Sequence, residues 1–234
     1  MKNTIAVISV VSIVLISLML GSYFDRLYQQ EKIVETTIRV FPMDKNFIEP
    51  NEVAQLIALK DSMQQQINIA QIEAVLEQND FIDNAEVYRD LNGHLIAEVE
   101  QYKPIARVWG KNSFYLDKNG HKKPLSKHYT ERLMLVFGDL LPEKQPQTVA
   151  LIQNIYNDSV LNKIVSEIHL RSRQTAVLKL IDVSGDFIIE INPDKTQEQL
   201  FKLKTMYAYV HQKHWNNKYK TYDFRFNNQV VCKK

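Results

Sequence analysis

Ala85-Glu86-Val87-Tyr88-Arg89-Asp90-Leu91-Asn92-Gly93-His94-Leu95-Ile96-Ala97-Glu98-Val99-Glu100 is the stretch that decides how the first half of this chain folds. Ala85 to Arg89 alternate apolar with polar, Asp90 to Gly93 form a tight turn, and His94 to Glu100 take up the alternation again. Asn-Gly between two alternating runs is the strongest short-range signal for a β-hairpin. Upstream, Ile69, Ile72, Val75 and Leu76 recur at helical spacing. A shorter helix carrying Val53, Leu56 and Ile57 follows Phe47-Ile48-Glu49-Pro50-Asn51. Before it, Ile33 to Phe41 place Val34, Ile38 and Val40 on one side and Glu35, Thr37 and Arg39 on the other. That is a half-buried strand, closed by Pro42. The order is strand, helix, helix, strand, strand.

This order is that of a POTRA module, two helices on a three-stranded sheet. The second half is richer in strands. Ile105 to Trp109 and Phe114 to Leu116 flank Gly110, and Asp117-Lys118-Asn119-Gly120 makes another turn. Leu133 to Phe137 is a continuous apolar run of buried-strand type, ending at Gly138. Gln147 to Asp158 carry a helical stripe of Val149, Ile152, Ile155 and Tyr156. Ile164 to Leu170 read as a strand before a polar turn at Arg171-Ser172-Arg173. Ala176 to Val183 and Phe187 to Ile191 form a hairpin across Ser184-Gly185. A long helix runs from about Thr196 to His214, with Leu200, Leu203, Tyr207 and Val210 inward. The chain closes with alternating Tyr222, Phe224 and Phe226, a turn at Asn227-Asn228, and a last strand from Gln229 to Cys232.

Ahead of both halves, Ile5 to Phe24 is an uncharged apolar run between Lys2 and the pair Asp25 and Arg26. About 20 such residues are what a helix needs to cross a bilayer. A signal peptide has a shorter apolar region and a small-x-small cleavage site. Here Met19 stands two before Gly21, and Tyr23 and Phe24 suit the membrane-water boundary. The run is therefore read as a retained anchor, and the short tail before it favours a cytoplasmic N-terminus. The expected organisation is a cytoplasmic tail at 1–4, a transmembrane helix at 5–24, a juxtamembrane linker at 25–32, a POTRA domain at 33–103 and a C-terminal β domain at 104–234. The fold class is α+β, the last domain being a mixed, mainly antiparallel sheet with one or two packed helices.

The chain is 45% hydrophobic and 24% charged, which suits a globular protein with a real core. A net charge of +2 gives no reason to expect nucleic acid. The lone cysteine, Cys232, excludes a disulfide within the chain. The sequence has no GxSxG elbow, no HExxH, no Walker A loop and no GxGxxG after a strand. His211 and His214 lie three apart on the long helix, but no third ligand supports a metal there. Asp117-x-Asn119-Gly120 lacks the later ligands of a calcium loop and reads as a hairpin turn. His121 and His128 share a polar loop with Lys122, Lys123 and Lys127. Cys232 reads as a packed or edge residue rather than a nucleophile. No catalytic residue, cofactor or metal is expected.

The arrangement resembles the FtsQ/DivIB family of bacterial cell-division proteins. The resemblance rests on Phe81-Ile82-x-x-Ala85-x-Val87, on Glu98-x-x-x-Tyr102-Lys103-Pro104-Ile105-Ala106-Arg107-Val108, and on Tyr115-Leu116-Asp117-x-x-Gly120 followed by Pro124-Leu125-Ser126 and Val136-Phe137-Gly138. It ends with Tyr222-Asp223-Phe224-Arg225-Phe226-Asn227-Asn228-Gln229-Val230-Val231-Cys232. The Pro-Leu-Ser element and the Gln-Val-Val-Cys ending are most similar to the Bacteroidetes branch. Two departures stand out: Asn192-Pro193 precedes the long helix where the family often has Val-x-Leu-Gly, and Tyr-Asp-Phe-Arg-Phe replaces a commoner Ile-Asp-Leu-Arg-Tyr. Both keep the turn and strand signals.

The resemblance implies a non-enzymatic, single-span inner-membrane division protein. Its bulk would lie in the periplasm, at the septum, bound to FtsB- and FtsL-like partners and linked to septal wall synthesis. Independently of it, a last strand with one neighbour offers a partner segment an edge to extend. The expected partner-binding residues are Gln229, Val230, Val231 and Cys232, with Phe224, Arg225 and Phe226 shaping the surface beside them. Lys233 and Lys234 either attract an acidic partner or keep the edge soluble, and a proline at Val231 is the expected test. Two alternatives are a POTRA-bearing protein of outer-membrane biogenesis or secretion, and a membrane-anchored wall enzyme.

Overall fold

The computed structural model of the chain describes residues 11–24, 36–61, 68–182, 185–212, 219–226 and 229–234. Residues 11–24 form a helix, α1, whose side chains are all exposed. Its Ser17 and Ser22 hydroxyls donate to the Val14 and Met19 carbonyls at 3.2 and 2.9 Å. Their polarity is thus satisfied within the helix, and its surface is almost wholly apolar. The expected span begins at Ile5, outside the described residues. Among the described residues no helix is long and apolar enough to cross a membrane.

The chain divides into two compact units, Met1–Gln101 and Tyr102–Lys234. In the first, β1 (Thr36–Phe41), α2 (Pro50–Asp61), α3 (Ile69–Glu77), β2 (Ile82–Arg89) and β3 (Leu95–Gln101) follow the expected order. The sheet order is β1-β3-β2, with β1 parallel and β2 antiparallel to the central β3. Alternation delivers Val40, Val87, Ala97 and Val99 to one face, where Val53, Ile57, Ile72 and Leu76 of the helices meet them. α3 starts where the Asn68 side chain accepts the Gln71 N–H, a cap that satisfies one of the first-turn donors.

The hairpin between β2 and β3 turns on Asp90. Its Oδ1 accepts the N–H groups of Asn92 and His94 at 2.9 and 2.8 Å, while Gly93 takes a φ of +83°. The same Asp-x-Asn-Gly-His turn recurs at Asp117, whose Oδ1 accepts from Asn119 and His121, both at 2.8 Å. Gly120 there has a φ of +85°, and an added Cβ would lie 2.8 Å from Val149 Cγ1. A carboxylate committed to two backbone amides holds a turn, as Asx turns do.

Gln101, buried at the end of β3, organises the loop between β1 and α2. Its Oε1 accepts the Phe47 and Ile48 N–H groups, and its Nε2 donates to the carbonyls of Phe41, Pro42 and Lys45.

Among the described residues the second unit holds one nine-stranded sheet. Its strands are β4 (Pro104–Trp109), β5 (Phe114–Asp117), β6 (Lys122–Lys123), β7 (Met134–Phe137), β8 (Val165–Ser172), β9 (Thr175–Asp182), β10 (Gly185–Ile191), β11 (Thr221–Asp223) and β12 (Val231–Lys233). They lie in the order β12-β11-β10-β9-β8-β7-β4-β5-β6. Three pairs are parallel, β4 with β7, β7 with β8 and β10 with β11, and the others antiparallel. Helices α4 (Pro146–Asn157) and α6 (Thr196–Gln212) bury Ile152, Ile155, Leu200 and Leu203 in the core on one face.

Two expectations need correction. The strand read from Ile164 begins at Val165, because Leu161–Ile164 form a short helix, α5. Asp158 Oδ1 accepts the Val160 and Leu161 N–H groups, both at 3.0 Å, and starts that turn. The run ending at Phe137 buries only Met134 and Val136 fully, since helices cover one face of the sheet. Tyr207 faces inward as expected and packs, half-buried, against the margin of the core.

Gln101→Ala removes the shared acceptor of the Phe47 and Ile48 N–H groups and the donor to three loop carbonyls, and is expected to cost about 2–3 kcal/mol. Urea unfolding of the first unit's transition checks this, and a change under about 0.5 kcal/mol would contradict it.

Candidate functional site

The C-terminal margin of the large sheet is built around a parallel pair. β10 and β11 align Ile188 with Thr221, Ile189 with Tyr222 and Glu190 with Asp223. Ile188 N–H reaches the Lys220 carbonyl and Phe224 N–H the Glu190 carbonyl, both at 2.9 Å. These bonds fix the ladder, in which Tyr222 directs its own backbone groups at β10 while Thr221 and Asp223 direct theirs at β12. In the antiparallel pairing of β11 with β12, Tyr222 stands opposite Cys232 and Asp223 opposite Val231. Alternation then places Val231 and Lys233 in the bonded pairs and turns the Cys232 N–H and C=O outward. Among the described residues β12 is the last strand of the sheet, so those groups form its edge.

Residues facing one another across a ladder share a face, so the pairings can be followed across the sheet. One row on the face opposite α4 and α6 runs Trp109, Phe137, His169, Val177, Glu190, Asp223, Val231. The next runs Arg107, Leu135, Glu167, Lys179, Ile188, Thr221, Lys233. Phe137 stacks on His169 with centroids 4.7 Å apart, and Arg107 lies 5.4 Å over the Trp109 ring. Glu167 accepts from Lys179 at 3.2 Å and lies 2.7 Å from His169 Nε2. Between the rows, beside β11, lies a shallow depression of about 490 Å³ lined by Arg171, Val177, Lys179, Ile188, Glu190 and Thr221, among others.

The carboxylates of Glu190 and Asp223 are neighbours on this face, and Arg225 bridges them. Its Nη2 lies 2.6 Å from both, while its backbone N–H and Nε donate to Asp223 Oδ1 at 3.1 and 2.9 Å. Lys233 Nζ approaches Glu190 at 4.0 Å. The Arg225 guanidinium holds the Asp223 carboxyl below its ordinary value, outweighing the opposing effect of burial. The carboxylates in turn raise the Arg225 pKa.

The expected site residues separate on this geometry. Val231 and Cys232 lie on β12, and Arg225 stands one strand inward. Phe226, Gln229 and Val230 are exposed but precede the strand, which is displaced by one residue beyond Cys232 to Lys233. Phe224 is fully buried in the core, and so seats β11 from below instead of shaping the surface. Cys232 is an exposed free thiol whose pKa is raised by partial burial, the opposite of what a nucleophile requires. His211 and His214, as a side-chain pair, lie outside the described residues. Among the described residues no group of three or more His, Cys, Asp or Glu could hold a metal ion.

Sequence reasoning missed Lys179, Ile188, Glu190 and Thr221. It also missed a charge asymmetry hidden in the net +2. Residues 36–101 hold 4 Lys and Arg against 12 Asp and Glu, a formal −8, whereas residues 102–234 hold 22 against 12, a formal +10. A surface of that sign favours acidic partners.

A depressed carboxyl contributes stability that is present above its unfolded value, near 3.8 for Asp223, and lost as pH falls through its folded pKa. The wild-type urea midpoint should therefore fall more steeply than that of Asp223→Asn between about pH 4 and pH 2. Parallel curves would contradict the assignment.

Comparison with known proteins adds the following. The family model described as FtsQ/DivIB, C-terminal related, matches residues 103–233, and a POTRA-like domain model matches residues 41–100. No curated protein matches the chain. Among solved structures, the major extracytoplasmic domain of the trans isomer of the cell division protein DivIB from Geobacillus stearothermophilus is similar at 15% identity. That match covers 48% of this chain and 96% of the solved one, with a TM-score of 0.35. At that score the likeness adds nothing to the fold described above.

Proposed function

The chain belongs to the FtsQ/DivIB family of cell-division proteins, and from that premise we propose that it is a non-enzymatic, membrane-anchored scaffold whose β12 edge takes up an extended segment of a division partner. The observation that carries this reading is the outward N–H and C=O of Cys232 on a short terminal strand. An unpaired edge is a liability unless it is covered or used. A partner strand adding beside β12 gains backbone bonds for affinity and places alternate side chains for specificity.

The partners in this proposal are FtsB- and FtsL-like single-span proteins. A strand added at β12 continues the rows on the open face, and the segment leading into it would meet the depression beside Ile188 and Lys179. Arg225, Lys233 and the formal +10 of residues 102–234 favour an acidic segment. The apolar run from Ile5 to Phe24, helical over residues 11–24, would serve as a bilayer anchor with the N-terminus cytoplasmic and the bulk periplasmic. Confinement to one membrane raises the effective concentration of anchored partners, so a short edge contact suffices. The division role itself predicts that depletion yields filaments with unfinished septa; normal septation would overturn it.

The edge is tested by proline substitution, and the geometry selects the position. Val231 commits its N–H to β11, so Val231→Pro removes a ladder bond and loosens the hairpin. Cys232→Pro removes only an outward N–H, at an edge position that tolerates proline. Cys232→Pro is expected to leave the thermal midpoint nearly unchanged and to reduce co-purification of an FtsB-like partner by about tenfold or more. Undiminished capture by a folded Cys232→Pro chain would remove the edge proposal.

A further inference from the structure

The first unit has an exposed strand of its own. Among the described residues β2 lies at one margin of the three-stranded sheet and pairs with β3 alone. Asp90 N–H bonds the His94 carbonyl at 3.0 Å, which fixes the alternation along the hairpin. Glu86, Tyr88 and Asp90 face β3, while Ala85, Val87 and Arg89 turn their backbone groups outward. A side chain already sits on the middle one. Glu73, projecting from α3, accepts the Val87 N–H at 2.9 Å through its Oε1.

That contact is not part of the helix, the sheet or a cap. Glu73 spans 14 residues to reach a strand amide that nothing in the fold of the unit otherwise requires it to meet. Its effect is to place a bulky anionic acceptor where an incoming strand would put its carbonyl. Edge strands are commonly blunted by charge in this way.

The edge it covers is suited to its own copy. In an antiparallel pairing centred on Val87, the outward groups of Val87 face those of Val87 in the second chain, flanked on each side by Ala85 against Arg89. On the exposed face the same register sets Glu86 against Tyr88, so no like charges stand opposite one another. With Glu73 in place, both carboxylates would meet at the two-fold axis, occupying the central amides and repelling each other.

We propose that the β2 edge is a self-complementary pairing surface for a second copy of this chain, and that Glu73 holds it shut. The proposal is independent of the partner assigned to β12. The test uses the full chain in detergent, with self-association followed by sedimentation. Glu73→Ala should associate at least about tenfold more tightly than the wild type. Adding Val87→Pro, which removes the central outward N–H, should return it to wild-type behaviour, whereas adding Cys232→Pro should not. Wild-type association by a folded Glu73→Ala chain would overturn the proposal, as would association that survives Val87→Pro or is abolished by Cys232→Pro. Amide exchange in the unsubstituted chain gives a reading that depends on no variant. The Val87 amide should exchange more slowly than that of Ala85, and equal exchange would overturn the assignment of Glu73 as the cover.

Discussion

The parallel ladder between β10 and β11 is the constraint on which the C-terminal half depends. A hairpin would have turned the chain straight back after Ile191. A parallel return instead requires a crossover, which α6 supplies by covering the core face before the chain re-enters the sheet at Thr221. The ladder fixes which residues of β11 look inward and which look outward. It turns Tyr222 and Phe224 toward the core, and it turns Asp223 to the opposite face beside Glu190, where Asp223 is buried as well. Arg225 then has two carboxylates to bridge, and among the described residues β12 has only β11 to pair with. The orientation of a single amide, that of Cys232, follows from this ladder through the pairing of β11 with β12.

The two sheets manage their margins differently, and the contrast is physical. At β2 an outward amide is covered by a carboxylate from the neighbouring helix. At β12 the carboxylates lie one and two strands inward, on Asp223 and Glu190, where with Arg225 they steady β11 and do not cover the backbone of β12. A charge placed on an edge amide opposes pairing, whereas a charge placed behind the edge supports the strand that presents it.

Much of the fold was legible because its signals are local. Asp90-Leu91-Asn92-Gly93-His94 and Asp117-Lys118-Asn119-Gly120-His121 each carry an aspartate that folds its own turn and a glycine at positive φ. The helical stripes of Ile72 and Leu76, and of Ile152 and Ile155, led to α3 and α4 in the same way. What escaped was set by partners distant in sequence. Gln101 satisfies a loop more than fifty residues upstream, and nothing beside it marks that role. The parallel pairing of β10 with β11 cannot be told from an antiparallel one by alternation, so the sequence offers no choice between Val231 and Cys232 as the position for the proline test. Phe224 alternates as a surface or a core residue would, and only the covering helix decides between them. α5 alone had a local signal that was passed over, in Asp158 three residues before Leu161.

The account stands most directly on the state of one backbone group. Hydrogen exchange at the Cys232 amide, followed in the free chain and in complex with a co-expressed FtsB-like partner, reads that state. The account predicts rapid exchange in the free chain and strong protection in the complex, with Val231 protected in both. A Cys232 amide that exchanges equally fast with the partner bound, or is already protected without it, would contradict the claim that β12 receives a strand.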